Sequence, residues 1–162
     1  MSDKTPITTS GYKKLQEELK RLKTEERPRI TKAIEVARAH GDLKENAEYH
    51  AAKEEQGMVE AKIRLMENQA GTAQVVDISK LSGDRVVFGA TVLISDVDTG
   101  EERTLTIVGE SESDTEKGRI SYTSPLARGL IGKNIDDIAK VRLPSGAKEY
   151  EIMEVNFTPL ED

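Results

Sequence analysis

The sequence predicts an α+β protein, in which an antiparallel two-helix hairpin precedes a sheet domain that carries one short helix. Three observations lead to this class. Apolar residues recur with a helical period through most of the chain up to Gly71. Beyond Gly71 the period shortens to two, which is typical of strands. A short segment around Gly41 interrupts the helical region once, and two helices joined by so short a turn must run antiparallel.

The first helix is predicted to begin near Tyr12, after candidate capping residues at positions 8–10. Pro28 lies inside the helical pattern. Because proline has no N–H and clashes with the preceding turn, we expect a kink or a local break there. Gly41 ends the helix. The apolar positions of this arm fall at heptad spacing and then continue as a stripe: Tyr12, Leu15, Leu19, Leu22, Ile30, Ala33, Ile34 and Ala37.

The second helix is predicted to begin around Leu43 or Lys44 and to end near Gly71. Small residues in its seam would let the two helices approach closely. The domain boundaries that follow are a hairpin over residues 1–76, a linker over 77–83 and a globular domain over 84–162. The expected seam has alternating steps of four and three residues: Ala47, Ala51, Glu54, Met58, Ala61 and Leu65.

The second domain is predicted to be built mainly from short strands separated by turn residues. Ser124 as N-cap and Pro125 at the first helical position predict one short helix. The polar stretch 110–117 is expected to be a loop. The strand candidates are residues 75–76, 86–88, 91–94, 104–108, 141–143 and 150–155.

The composition predicts a soluble cytoplasmic protein that contacts no membrane. The chain has 162 residues, a net charge of −6 and no cysteine. No apolar run approaches the roughly 20 residues that span a bilayer, and no secretory signal is visible. Residues 1–76 carry 14 basic and 13 acidic residues, and residues 77–162 carry 10 and 17. Since neither half is strongly basic, broad direct binding to nucleic acid is not expected.

Two carboxylates, Asp42 and Glu45, lie at the turn of the predicted hairpin. Their spacing fits a capping box, in which Asp42 accepts from first-turn N–H groups and Glu45 reaches back. They could equally supply ligands to a hard cation such as Mg²⁺, which often takes only one or two carboxylates from a protein. Two carboxylates alone would bind it weakly, so another molecule would have to supply the remaining ligands.

The residues around this acidic pair also admit two interpretations. Arg38, Lys44 and Lys53 can be solvent-exposed charges of a helix surface or contacts to phosphate. Asn46 and Tyr49 can pack the turn or touch a substrate.

No catalytic triad or zinc motif is visible in this chain. The two histidines, His40 and His50, lack the His-x-x-x-His spacing of a zinc site, and no cysteine assists them. Because both lie in the hairpin, the second domain has no Ser/His/Asp arrangement. This domain therefore has the character of a binding or docking module.

The segment 41–50 resembles the signature of the Gre family of transcript cleavage factors, of the GreA type. The likeness continues at Arg27-Pro28 and at residues 88–90, 107–109 and 124–133, in the family's order over nearly the whole chain. The resemblance implies a coiled-coil hairpin and an FKBP-like domain with an antiparallel sheet. It also implies a transcription elongation factor that acts on bacterial RNA polymerase.

In that family the globular domain docks at the rim of the polymerase secondary channel and the hairpin enters the channel. The resemblance then implies that Asp42 and Glu45 help to hold a second Mg²⁺ that the polymerase supplies and mainly holds, with no intrinsic cofactor. The polymerase itself would cut backtracked nascent RNA near its 3′ end, so this chain would be an activating cofactor, not an enzyme. A monomer is expected.

The residue roles follow position by position. Arg38 and Lys53 match RNA contacts, and Ser124 and Pro125 match the docking segment. Thr123 stands where some relatives have an acid. The hairpin also lacks a strongly basic face, so cleavage of long backtracked RNA is not expected. We expect four residues to support the hairpin tip: Leu43, Lys44, Asn46 and Tyr49.

Three alternatives remain open from the sequence. One is an inhibitor that blocks the polymerase channel without enabling cleavage. Another is a prolyl isomerase, which the FKBP-like fold suggests but the few aromatic residues of the second domain do not favour. The third is a coiled-coil scaffold without chemistry.

Overall fold

A computed structural model describes residues 4–41 and 46–160 of the chain. These residues form two compact units. The hairpin unit comprises residues 13–72, and the sheet unit comprises residues 4–12 together with residues 73–160. The segments on either side of the hairpin, before residue 13 and after residue 72, make their contacts within the sheet unit and belong to it. The predicted boundaries at residues 76 and 83 stay a prediction.

The first arm of the hairpin consists of α1 (Thr9–Arg21), a π-helical segment (Leu22–Glu26) and α2 (Arg27–Arg38). The N–H of Arg27 donates to the carbonyl of Leu22, five residues earlier, which is the π-helical pattern. Pro28 follows directly and has no N–H to offer the preceding turn. The chain does not leave the helical path at Pro28, and the local irregularity expected there is this π-helical turn directly before the proline.

The predicted seam of the first arm is confirmed for its most buried members. Ile30 is 1% exposed and Leu22 is 2% exposed, and Ile34 packs with Ile30 in one cluster. Leu15 and Ala37 are buried as well. The apolar stripe predicted from spacing is thus the stripe that the first arm buries.

The predicted seam of the second helix, α3 (Ala47–Thr72), is wrong. Met58 is 67% exposed and Leu65 is 58% exposed, so the predicted stripe faces solvent. A second stripe with the same heptad spacing is the real seam, because it holds larger apolar side chains and no charged residue. Its buried and half-buried members are Tyr49, Ala52, Gln56, Val59, Ile63, Met66 and Ala70.

Ion pairs between the two arms show that they run antiparallel, as predicted. Lys23 pairs with Glu67 at 2.7 Å, Arg27 with Glu60 at 2.9 Å and Arg29 with Glu55 at 2.5 Å. As the residue number rises on one arm, it falls on the other. Since exposed pairs contribute little to stability, the buried seam holds the arms together.

The sheet unit contains two separate sheets. In the first, β1 (Thr5–Thr8) pairs in parallel with β2 (Ala73–Val76). The second has the order β5-β4-β3-β7-β6. Its strands are β3 (Thr91–Asp96), β4 (Glu102–Val108), β5 (Arg119–Ser121), β6 (Ile138–Leu143) and β7 (Gly146–Asn156).

The five-stranded sheet is mixed, which corrects the expected antiparallel sheet. β4 and β5 pair in parallel, whereas the other three pairs are antiparallel. A parallel neighbour needs a long connection to bring the chain back in the same direction. The polar residues between β4 and β5 provide it, with 3-10 turns at Glu110–Glu112 and Thr115–Lys117. The α+β class itself is confirmed.

The short helix α4 (Pro125–Leu130) begins as the sequence predicts, with Ser124 Oγ accepting from the Ala127 N–H at 3.3 Å. Gly129 allows it to pack closely on β6, because a Cβ at that position would lie 2.6 Å from Val141. α4 and the sheet share one buried core: Val86, Ala90, Val92, Ile94, Leu105, Ile107, Leu126, Ala127, Leu130, Ala139, Val141, Tyr150, Ile152 and Val155.

Residues 86–88 do not form the predicted strand. Val86 is fully buried, and its backbone exchanges hydrogen bonds with the loop after α4, at Gly132 and Lys133. The apolar character that suggested a strand therefore reflects burial in a loop. Within the described ranges, no helix combines the length and apolar character needed to cross a membrane.

A carboxylate ties the β4–β5 connection to the start of the chain. Glu112 accepts hydrogen bonds from the N–H of Thr8 at 3.1 Å, from the N–H of Gly109 at 2.8 Å and from the Thr8 hydroxyl. Thr8 is 1% exposed. The Thr8 hydroxyl in turn accepts from the N–H of Gly11, in the first turn of α1. The stretch predicted as a loop thus carries an anchoring contact.

Candidate functional site

The candidate site lies at the connection between α2 and α3. Asp42, Leu43, Lys44 and Glu45 fall outside the described residues, so their predicted roles remain predictions. The chain before them turns sharply. Gly41 has a φ of +110°, a backbone conformation that favours glycine, and its N–H donates to the Arg38 carbonyl at 3.3 Å.

Asn46 joins the ends of the two helices. Its Nδ2 donates to the carbonyl of Ala37, in the last turn of α2, at 2.6 Å. Its Oδ1 accepts from the N–H of Tyr49, in the first turn of α3, at 3.0 Å. The same side chain therefore caps the N-terminus of α3 and is hydrogen-bonded to the last turn of α2.

Asn46 fills the capping role that the sequence suggests for Asp42. α3 begins at Ala47, and the Asn46 carbonyl accepts from His50 at 3.2 Å, as expected of an N-cap residue. The sequence signal was available, since asparagine is among the preferred N-cap residues. It was missed because Asp42 and Glu45 match a capping box four residues earlier. The described start of α3 thus needs no cap from Asp42.

Tyr49 anchors the first turn of α3. Its half-buried side chain packs against the cluster of Ile30, Ile34 and Ala52. Its ring also meets the ring of His50 edge-on, with centroids 5.6 Å apart. This is the packing role that the sequence suggested for Tyr49, and a substrate contact by the same residue stays a prediction.

The candidate RNA-contacting residues are both solvent-exposed. Arg38 is the last residue of α2, where a positive charge is also favourable for the helix dipole. Lys53 lies on α3, and its Nζ donates to Gln56 at 3.2 Å. Their exposure leaves both available to a ligand and agrees equally with ordinary surface charges.

Acids along the hairpin are compensated by arginines on the same or the opposite arm. A hydrogen bond from Arg27 lowers the pKa of Glu60. A hydrogen bond from Arg29 likewise lowers the pKa of Glu26, and one from Arg21 lowers the pKa of Glu18. These pairs keep the carboxylates ionised and local charge balanced, in line with the nearly neutral N-terminal half.

The candidate docking segment belongs to the sheet unit. The Ser124 hydroxyl is occupied as the cap of α4, whereas Pro125 and Arg128 are exposed on that helix. Thr123 contacts the Ser121 hydroxyl at 2.8 Å. The exposed side chains of α4 are Pro125 and Arg128, and the docking role of Ser124 and Pro125 stays a prediction.

Among the described residues, no three His, Asp or Glu side chains come together as a metal site. The sheet unit has a cavity of about 240 Å³, and none of its lining residues is aromatic. Such a lining does not suit a proline-binding pocket. The residues are Arg103, Thr104, Leu105, Thr115, Gly118 and Ile120.

Comparison with known proteins covers both halves of the chain. The family model "Transcription elongation factor, N-terminal" matches residues 5–75, and "Transcription elongation factor, GreA/GreB, C-term" matches residues 81–157. The transcription elongation factors GreA of Phenylobacterium zucineum and Beijerinckia indica are 56% and 57% identical to the chain over 155 residues. GreA of Maricaulis maris is 55% identical over the same length. Each alignment covers 96% of this chain and 99% of the relative.

Proposed function

The chain belongs to the GreA/GreB family of transcription elongation factors, and on that premise we propose that it stimulates transcript cleavage by bacterial RNA polymerase. The cleaved substrate is the backtracked nascent RNA, and the nuclease is the polymerase itself. Removal of the extruded 3′ segment leaves a new 3′ end in register, from which an arrested complex resumes synthesis.

One observation carries this proposal: Asp42 and Glu45 occupy the short connection between α2 and α3. A pair of acids at the end of two long helices can reach into a site on another molecule. Three acids of α3, Glu55, Glu60 and Glu67, are each paired with a basic residue of the first arm and are therefore already compensated.

The chemistry follows from the needs of Mg²⁺. Two carboxylates are too few to hold this ion alone, because it requires six oxygen ligands. Asp42 and Glu45 would supply two of the ligands of a second ion, and the polymerase would supply the others and the first ion. Bound there, the pair of ions would supply the chemistry of a two-metal hydrolysis. The confined, low-dielectric channel strengthens this attraction.

The remaining residues serve binding. Arg38 and Lys53 are exposed and contact RNA phosphates as the hairpin occupies the secondary channel. Pro125, with Ser124 as its capping neighbour, contacts the rim of the channel. The chain acts as a monomer in the cytoplasm, where the polymerase works, and contacts the RNA 3′ end only within that complex.

The test uses elongation complexes stalled in a backtracked state, at a limiting Mg²⁺ concentration. Wild-type protein should shorten the RNA, and Asp42→Asn or Glu45→Gln should abolish the stimulation while polymerase binding is retained. Glu48→Gln is the matched control, since Glu48 is an exposed acid in the first turn of α3.

Normal RNA shortening by either tip variant, at saturating protein and limiting Mg²⁺, would contradict the mechanism. Wild-type protein that blocks synthesis without shortening the RNA would instead identify a channel-blocking inhibitor. If neither wild-type protein nor any variant shortens the RNA, and neutralising both acids changes nothing that is measured, the chain would be a coiled-coil scaffold without chemistry.

A further inference from the structure

We propose that the π-helical segment Leu22–Glu26 acts as a one-residue insertion in the heptad pattern of the first arm. It takes up one residue that this arm has in excess, and so keeps the apolar residues on both sides of it in one seam facing α3. The segment lies wholly within the hairpin unit. Its role is independent of the proposed function, because it concerns only how one arm matches the other.

The excess residue is visible when the two arms are compared. The seam of α3 runs in steps of three and four residues from Tyr49 to Ala70 without interruption. In the first arm, Leu15 and Leu22 are seven residues apart, as two heptad steps require. The next buried residue after Leu22 is Ile30, which is eight residues further on. The first arm therefore has one residue more than the α3 seam that it packs against.

The exposure of the following residues shows the same shift. Steps of four, three, four and three from Leu22 would place the seam at positions 26, 29, 33 and 36. Arg29 is exposed, however, and Val36 is 49% exposed. The residues that the structure buries lie one place after the last three of these positions: Ile30, Ile34 and Ala37.

The π-helical hydrogen bond accommodates this extra residue. The Arg27 N–H donates to the Leu22 carbonyl, so the bond reaches back five residues where an α-helical bond reaches back four. A turn closed by this bond contains one residue more than an α-helical turn. The π-helical segment also lies between Leu22 and Ile30, which is where the extra residue is needed.

An ion pair across the turn favours the same geometry. The Glu26 carboxylate lies 3.8 Å from Nη1 of Arg21, five residues earlier, and 2.8 Å from Nε of Arg29. On an α-helix the neighbouring side chains are those three and four residues apart. The contact between Arg21 and Glu26 is therefore a contact of the wider turn.

Pro28 is the alternative cause of the π-helical turn. In an α-helix its ring would clash with the carbonyl of Thr24, four residues earlier, and it has no N–H to donate to that carbonyl. A turn that only relieves this clash would persist only as long as the proline is present. A turn that takes up an excess residue would persist without the proline, so substitution separates the two causes.

The first experiment compares full-length wild type with Pro28→Ala by long-range HNCO spectra, which detect couplings across hydrogen bonds. In both proteins we expect the Arg27 amide to couple to the Leu22 carbonyl. Coupling of the Arg27 amide to the Lys23 carbonyl in Pro28→Ala would overturn the proposal, since the proline alone would then cause the turn.

The second experiment changes the number of residues. In the Pro28→Ala background, deletion of Thr24 should convert the segment to α-helix and restore an unbroken heptad. The melting temperature, followed by helical circular dichroism, should stay within about 3 °C of that of Pro28→Ala. Deletion of Lys32 in the same background is the matched control, because Lys32 is also exposed but lies between Ile30 and Ile34. This deletion should lower the melting temperature by about 10 °C or more, since it turns Ile34 out of the seam.

The two deletions decide the proposal together. If deletion of Thr24 lowers the melting temperature as much as deletion of Lys32, the turn does not take up an excess residue and the proposal is overturned. If neither deletion lowers it, the seam does not set the register of the first arm, and the proposal is overturned as well.

Discussion

The hairpin unit and the sheet unit bury their apolar residues in different ways. Within the described chain, the sheet unit has a core of 14 buried residues, whereas the buried cluster near the end of the hairpin has three, Ile30, Ile34 and Ala52. The hairpin relies on a narrow seam and carries its charges in solvent. Each seam residue therefore bears a larger share of the stability of its unit, and the exposed faces remain available for contacts with a partner.

Substitution of a seam residue should give the largest effect. Ile63 is 1% exposed, so Ile63→Ala should destabilise the hairpin by about 2–5 kcal/mol. Leu65→Ala removes a comparable side chain from the exposed stripe and should change stability by about 0.5 kcal/mol or less. Urea unfolding followed by helical circular dichroism measures both. Equal losses of stability in the two variants would mean that both stripes are buried between the helices.

The sheet unit should respond next most strongly at Glu112. Glu112→Ala leaves the N–H groups of Thr8 and Gly109 without their acceptor, which should cost about 2–3 kcal/mol locally. Hydrogen exchange at Thr8 should accelerate. Glu110→Ala, in the same turn but exposed, is the control and should leave that exchange unchanged.

Two glycines should respond to alanine with opposite signs. At Gly129 a Cβ would meet Val141 at 2.6 Å, so Gly129→Ala should destabilise the sheet unit by about 1–2 kcal/mol. At Gly57, within α3, nothing lies within 4 Å, so Gly57→Ala should stabilise the hairpin by about 0.5–1 kcal/mol. Unfolding of both variants gives the signs, and destabilisation at both sites would refute the packing difference.

The smallest expected effect is the pH dependence that Asp96 gives the sheet unit. The Asp98 N–H, with further contributions from Thr99 and Lys148, lowers the pKa of Asp96. Since the folded pKa is below the unfolded value of about 3.9, the carboxylate stabilises the fold above that pH. This stabilisation is lost as the pH falls through the lowered pKa.

Asp96→Asn removes the titration and keeps an oxygen acceptor. Between pH 6 and pH 3, the urea midpoint of the sheet unit should fall further in wild type than in this variant. The midpoint can be followed through amide resonances of the β3–β4 turn. Parallel declines would show that Asp96 does not link this unit to pH.

The sequence predicted features that have a local cause. The α4 cap at Ser124 and Pro125 follows from residues that lie next to each other, and the structure confirms it. For the α3 seam, the sequence contains two stripes with the same spacing, and periodicity alone does not distinguish them. The three alanines of one stripe favoured it for close packing, but the structure buries the stripe that contains Val59 and Ile63.

Contacts between distant residues could not be predicted in the same way. β1 and β5 are short, and their pairing depends on partners elsewhere in the chain. For the candidate site, the placement of the two acids stays a prediction, and the two-sided contact of Asn46 could not be predicted because it exists only when the two helices are packed together. Periodicity identifies an element, whereas a side chain that joins two elements is visible only after they meet.

The parallel pairing of β1 with β2 has a consequence for biosynthesis. Thr5 lies opposite Ala73 and Thr8 opposite Val76, so the first strand must wait for residues translated much later. The entropy lost on closing a flexible loop grows with the length of the loop. Once the hairpin has folded, most of the chain between the two strands is no longer flexible, so less entropy is lost when they pair. We expect the growing polypeptide to complete its hairpin first, and the amino terminus to be captured only after residue 76 has left the ribosome.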